Sequence, residues 1–246
     1  MTEGIHLDDG VMARATTSRR KFLAGSAALL AGGALMAVPG VANAHTTGSG
    51  VTDVDILNYA LTLERLEANF YRRVLNWYGE ARFESSDFFD GLGDYIRRRS
   101  YQNFQRISEH EDTHVQTLVS VIKSLGGTPV PVASYNFGLK SVANAMQTAQ
   151  LLENTGVKAY DGAIAHIEAA ELLTASATIA TVEARHASYL NLLNRDVPFP
   201  RAFDQAVAPR QICQTVDEAF IIDAPEPYGP YPSLQAFCSM LPNTVN

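Results

Sequence analysis

Glu111-Asp112-Thr113-His114 stands inside a stretch, Tyr95 to Leu125, whose apolar residues recur at helical spacing and which stops at Gly126-Gly127-Thr128-Pro129. Residues three apart on a helix project from neighbouring points of one face, so a carboxylate and an imidazole placed this way can grip one ion. The same pattern returns at Glu183-Ala184-Arg185-His186, within a helical stretch predicted from about Glu168 to Leu193. A third match, Glu3/His6, falls in a leader segment and is accidental, since isolated matches arise from composition in a chain with six His.

Two more helices complete the pattern. One starts at Asp53, where Asp53 or Asp55 can cap it, and carries apolar residues at Ile56, Ala60, Leu63, Phe70 and Val74. The other runs from about Ser141 to Tyr160. Each sets one carboxylate in an apolar stripe, Glu64 and Glu153, and each has a tyrosine two turns later, Tyr71 and Tyr160. The chain thus repeats one plan twice: Glu-x6-Tyr on one helix, Glu-x-x-His on the next. Residues 80–93 form a looser aromatic and acidic connection, and Val130 to Gly138 reads as a long extended one. No proline interrupts Lys140 to Asp196, whereas prolines gather from Pro198 onward. Nothing alternates at period two for long enough to build a sheet. The expected fold is all-α: a four-helix bundle over residues 53–196 with a long crossover between its second and third helices, then a Pro-rich C-terminal extension, 197–246.

Ahead of the bundle, Ser18-Arg19-Arg20-Lys21-Phe22-Leu23 leads into an uncharged Ala/Leu/Gly-rich run ending at Ala42-Asn43-Ala44. This resembles a twin-arginine signal peptide, residues 1–44, cleaved near Ala44 and followed by a flexible lead-in, 45–52. The run is glycine-broken, contains Pro39, and is short for the ~20 apolar residues of a membrane span, so no permanent span is expected. Residues 1–44 hold three acids and four bases, so the remainder is one charge more acidic than the whole chain's −7. That balance argues against nucleic-acid binding through bulk charge. The signal implies the twin-arginine export machinery as a partner and a periplasmic or extracellular destination. In that setting Cys213 and Cys238, the only two cysteines, are expected to form a disulfide pinning the extension.

A Glu from each of two helices plus Glu-x-x-His from each of the other two is the arrangement of ferritin-like di-iron and di-manganese carboxylate proteins. The resemblance extends beyond the ligands. Glu111 to His114 followed by Leu118, Val121, Ile122 and Leu125-Gly126-Gly127 resembles the second helix of bacterial ferritins, and Leu152-Glu153-Asn154-Thr155-Gly156-Val157-Lys158 their third. Leu63 to Tyr71, Glu153 to Val157 and Val182-Glu183-Ala184-Arg185-His186-Ala187 are similar to the exported ferritin-like proteins grouped with plant desiccation-related proteins. The likeness covers about Asp53 to Arg195. It implies two Fe or two Mn ions about 3.5–4 Å apart, bridged by Glu111 and Glu183 and capped by Glu64, His114, Glu153 and His186. Oxygen, peroxide or ferrous iron would be the partners of such a centre, as a ferroxidase, an oxidase or a peroxide-decomposing enzyme in stress protection. The family likeness equally allows a non-catalytic desiccation or envelope protein that uses the bundle as a scaffold.

Around the ligands, Tyr71 and Tyr160 are expected to hydrogen-bond the carboxylates. Glu67, one turn from Glu64, competes with it as first-helix ligand or supports it, and the tyrosine offset favours Glu64. His110 and His166 read as ordinary polar residues. A rival reading takes His110-Glu111-Asp112-Thr113-His114 as the H-E-x-x-H helix of a zinc protease. Its extended form fails at Thr117 and Ser120, and it leaves the second Glu-x-x-His unexplained. The sequence leaves room for a homo-oligomer joined through the tail or the first helix.

Overall fold

The computed structural model describes residues 50–245; the leader, 1–44, and the start of the lead-in lie outside the described residues. Helix α1, Asp53–Trp77, opens with a reciprocal cap. Thr52 Oγ1 accepts from the Asp55 amide at 3.2 Å, and Asp55 Oδ2 accepts from the Thr52 amide at 2.8 Å. Asp53 serves a different helix: its carboxylate accepts from the Glu168 and Ala169 amides, 115 and 116 residues away, at 2.8 and 3.1 Å. Those amides precede α5, Ala170–Leu193, whose own N-terminus supplies no side-chain cap. Asp53 thereby ties the first bundle helix to the last.

A short helix α2, Glu80–Glu84, and a 3-10 turn, Asp87–Phe89, occupy the connection to α3, Asp94–Ser124. Phe83 from this connection is buried against Phe89, Tyr101 and Phe104, and Phe104 in turn meets Tyr71 edge-on at 4.9 Å. An aromatic plug thus closes one end of the bundle. Helix α3 ends where expected, with the Gly127 amide donating to the Ile122 carbonyl at 2.9 Å and Gly126 at a φ of 76°. The crossover then runs to Ser141, which caps α4, Val142–Ala163, by accepting from the Asn144 amide at 3.1 Å. A 3-10 turn, Ile164–His166, separates α4 from α5.

The bundle helices α1, α3, α4 and α5 pack as two antiparallel pairs, α1 with α3 and α4 with α5, joined by the crossover. The described residues are mostly helical, as the all-α reading expects, with one small two-stranded sheet. Strand β1, Ser134–Tyr135, in the crossover pairs antiparallel with β2, Ile221–Asp223, in the C-terminal extension. A strand this short carries no period-two pattern, which is why the sequence does not announce it.

The extension explains why α1 is buried on nearly every side. It contributes α6, Pro209–Phe220, and α7, Leu234–Met240, joined by the Cys213–Cys238 disulfide with Cα atoms 5.4 Å apart. Its Tyr228 and Tyr231 reach α1: the Tyr228 hydroxyl lies 3.1 Å from Thr62 Oγ1, and Tyr231 donates to Asp55 Oδ1 at 2.6 Å. Asn58 binds crossover and extension together, donating to the Thr128 carbonyl and Tyr231 while accepting from the Val130 amide. Further back, the chain crosses α4 at Gly162, where a Cβ would fall on the Val207 carbonyl. Among the described residues, no helix is long and apolar enough to cross a membrane.

Candidate metal centre

Helical spacing turns Glu64 of α1, Glu111 and His114 of α3, Glu153 of α4, and Glu183 and His186 of α5 toward one point in the bundle. The four carboxylates are fully buried, and the imidazoles are 8% and 5% exposed. Two overlapping sets of potential ligand atoms result, each within a 4.8 Å span. One set is Glu64, Glu111, His114 and Glu183; the other is Glu111, Glu153, Glu183 and His186. Glu111 and Glu183 belong to both.

Each histidine aims Nδ1 inward. His114 Nδ1 lies 3.2 Å from Glu64 Oε2, 3.3 Å from Glu111 Oε2 and 3.1 Å from Glu183 Oε1. His186 Nδ1 lies 3.1 Å from Glu111 Oε1 and 3.2 Å from Glu153 Oε2. One nitrogen can donate only one proton, so it cannot satisfy three carboxylates at once. Glu111 Oε1 and both oxygens of Glu183 accordingly have no hydrogen bond of acceptable geometry despite their closeness to the rings. Buried carboxylate oxygens converging on an imidazole nitrogen without hydrogen bonds fit a cation.

The tyrosines cross between the halves. Tyr71 of α1 donates to Glu153 Oε1 on α4, and Tyr160 of α4 donates to Glu64 Oε1 on α1, both at 2.5 Å. The second oxygen of each glutamate is the one that faces a histidine. Burial first, and then the adjacent glutamates, push both phenol groups well above their ordinary values, so they remain donors.

Burial and mutual charge shift the groups of the cluster in different directions. Burial pushes Glu111 up to about 7, partly offset by the adjacent His114 and His186 rings. Glu183 rises well above the carboxylate range through burial and the charges of Glu111, Glu153 and Glu64. For Glu64 the desolvation penalty is outweighed by His114, Glu111 and Tyr160, and its value falls. Burial alone would lower His186, but contacts with Glu111 and Glu153 lift it to about 9; His114 is raised further by Glu64, Glu111 and Glu183. A divalent cation entering the cluster would compete with the protons that these shifts favour.

Glu67 is buried one turn beyond Glu64 but belongs to neither ligand set. Its Oε1 lies 3.2 Å from the point where a Cβ on Gly156 would sit, so this glycine makes room for it. Burial, followed by the charges of Glu183, Glu153, Glu111 and Glu64, raises Glu67 well above the carboxylate range.

Two expectations about histidines divide. His166 Nε2 donates to the Thr244 carbonyl at 2.9 Å, a surface tie to the C-terminus. His110, expected to be an ordinary polar residue, instead places Nδ1 2.9 Å from His186 Nε2, with the two rings nearly parallel at 12°. Partial burial, then His186 and His114, pull His110 below its ordinary value. It joins neither ligand set, so His110 and His114 do not form the paired ligands of an H-E-x-x-H zinc helix. The clue in the sequence is that His110 sits one turn before His114 and directly before Glu111; which helix it faces is not visible there.

A model of the ferritin-like domain matches residues 52–195, the span from the α1 cap to the end of α5. No curated protein matches the chain. Bundle, ligand sets and domain match agree, and the chain belongs to the ferritin-like domain family.

Proposed function

We propose that the chain binds a dinuclear Fe or Mn centre and acts on oxygen, peroxide or ferrous iron as an exported stress-protection protein. The observation that carries this reading is the pair of four-residue ligand sets sharing Glu111 and Glu183. Glu111 and Glu183 would help hold both ions, while Glu64 with His114 and Glu153 with His186 would hold one ion each. When bound, two such ions supply redox chemistry toward oxygen or peroxide. The protein supplies the rest: four carboxylates balance the charge, Tyr71 and Tyr160 orient two of them, and the aromatic plug around Phe83 and Phe104 keeps bulk water from that end.

Export is supported by the paired arginines at Arg19 and Arg20 and by the Cys213–Cys238 disulfide, a bond that persists in oxidising compartments. The likeness to exported desiccation-related proteins points to the same setting.

The test is metal analysis of protein purified from the exported fraction, followed by oxygen and peroxide consumption. Two tightly held Fe or Mn per chain with turnover is the expected result. A folded protein that takes up neither metal and consumes neither oxidant overturns the reading.

A further inference from the structure

A metal-binding imidazole coordinates through a lone pair, so its other nitrogen carries the proton. In His186 the inward atom is Nδ1, beside Glu111 Oε1 and Glu153 Oε2, which leaves Nε2–H pointing away from the cluster. There it meets His110 Nδ1 at 2.9 Å. His110 can accept that proton only through its own Nδ1 lone pair, with its remaining proton on Nε2. The near-parallel rings, 12° apart with centroids 5.2 Å apart, allow the contact to lie in the ring planes.

His114 has no counterpart to this support. Its Nδ1 faces Glu64, Glu111 and Glu183, and among the described residues no protein group meets its Nε2. The two ligand sets, otherwise related by the repeated plan of the sequence, therefore differ in one outer contact.

We infer that His110 is a positioning residue: by accepting the Nε2–H of His186 it holds that ring in the tautomer and orientation that present Nδ1 to Glu111, Glu153 and Glu183. It strengthens that ligand set and not the one containing His114, so the first ion to bind enters the His186 side. This rests on the reading of the cluster as a dinuclear metal centre. Loss of an outer hydrogen bond to a ligating histidine costs about 10–100-fold in metal affinity. An asparagine at 110 can restore the contact, because its Oδ1 sits near the position of the histidine Nδ1 and is an acceptor.

The experiment is a titration of the metal-free full-length protein with Mn(II), read by calorimetry and by electron paramagnetic resonance, for wild type, His110→Ala and His110→Asn. Circular dichroism checks that each variant is folded. Wild type is expected to take two ions and give the signal of a coupled pair. His110→Ala is expected to bind one ion with unchanged affinity and the other about 10–100-fold more weakly, so that the coupled signal appears only at correspondingly higher free Mn(II) than in wild type. His110→Asn is expected to return both ions and the coupled signal. If His110→Ala binds both ions as wild type does, or if both sites weaken together and Asn fails to restore them, the inference falls while the metal centre stands. A wild-type protein that takes up no metal overturns the proposed function, and this inference with it.

Discussion

Tyr71 donates its hydroxyl proton to Glu153, 82 residues later in the chain and on the other half of the bundle, at 2.5 Å. Tyr160 makes the reciprocal bond to Glu64. Each tyrosine occupies one carboxylate oxygen and leaves the other to face a histidine: Glu153 Oε2 toward His186 and Glu64 Oε2 toward His114, both at 3.2 Å. The two Glu-x6-Tyr helices are laced together by the same groups that aim their carboxylates.

Removing a hydroxyl therefore strands a buried carboxylate oxygen. Tyr71→Phe is expected to lower the stability of the metal-free protein by about 1.5–3 kcal/mol, the range for hydrogen bonds to charged groups. Urea denaturation measures this, and Tyr160→Phe should match it through Glu64. Equal stability of wild type and both variants would show that the tyrosines are packing residues only.

The shared and unshared carboxylates should separate in metal content. Glu183→Gln is expected to lose both ions, because Glu183 belongs to both ligand sets, whereas Glu153→Gln should lose one. Without metal the order reverses. Burial and three like charges burden Glu183, so Glu183→Gln should raise the melting temperature of the metal-free protein. Elemental analysis and paired thermal melts decide both points, and a single lost ion in Glu183→Gln contradicts the shared role.

Proton linkage sets a pH dependence. Glu111 keeps its proton up to about 7 against an ordinary 4.5, and His186 keeps its proton up to about 9 against 6.5. In both cases the folded state holds a proton that the unfolded chain releases, so the stability these groups add is complete below the ordinary value and is lost as pH climbs through the folded one. The metal-free protein is expected to weaken from about pH 4.5 to about pH 9, as Glu111 and then His186 titrate. Metal competes with the same protons, so its affinity should rise across that window, with proton release on binding at neutral pH. Melts with and without Mn(II), together with pH-stat titration, test this. A metal-free protein that gains stability toward pH 9 would refute it.

The disulfide closes a 25-residue separation within the extension that covers α1. Replacing Cys213 and Cys238 with serine is expected to cost about 3 kcal/mol by loop-closure entropy. Partial proteolysis should then clip the extension before the bundle. Indifference of the wild-type protein to reductant in the same assay would show that the clamp rests on Tyr228, Tyr231 and Asn58 instead.

Much of the bundle is legible in the chain because helices are local. Period 3.6, the Gly126-Gly127 stop and the proline-free run from Lys140 to Asp196 place the four long helices to within a few residues. Spacing also singles out the six residues that converge, since Glu-x-x-His needs only one helix to bring its two members together. Glu64 could be preferred to Glu67 on the tyrosine offset, although the tyrosines serve the opposite half.

What escaped the sequence is contact between elements far apart in the chain. Asp53 caps α5 rather than its own helix, His110 meets a ring 76 residues away, and the crossover pairs with the extension through strands of two and three residues. Residue spacing states which side chains share a helix face, but not the stagger and rotation at which two helices meet, and a shift of one residue turns a face by about 100°. The sequence by itself determined the helices and the groups able to hold a metal; tertiary packing decided which carboxylate each tyrosine holds and which histidine supports which, because only packing sets stagger and rotation together.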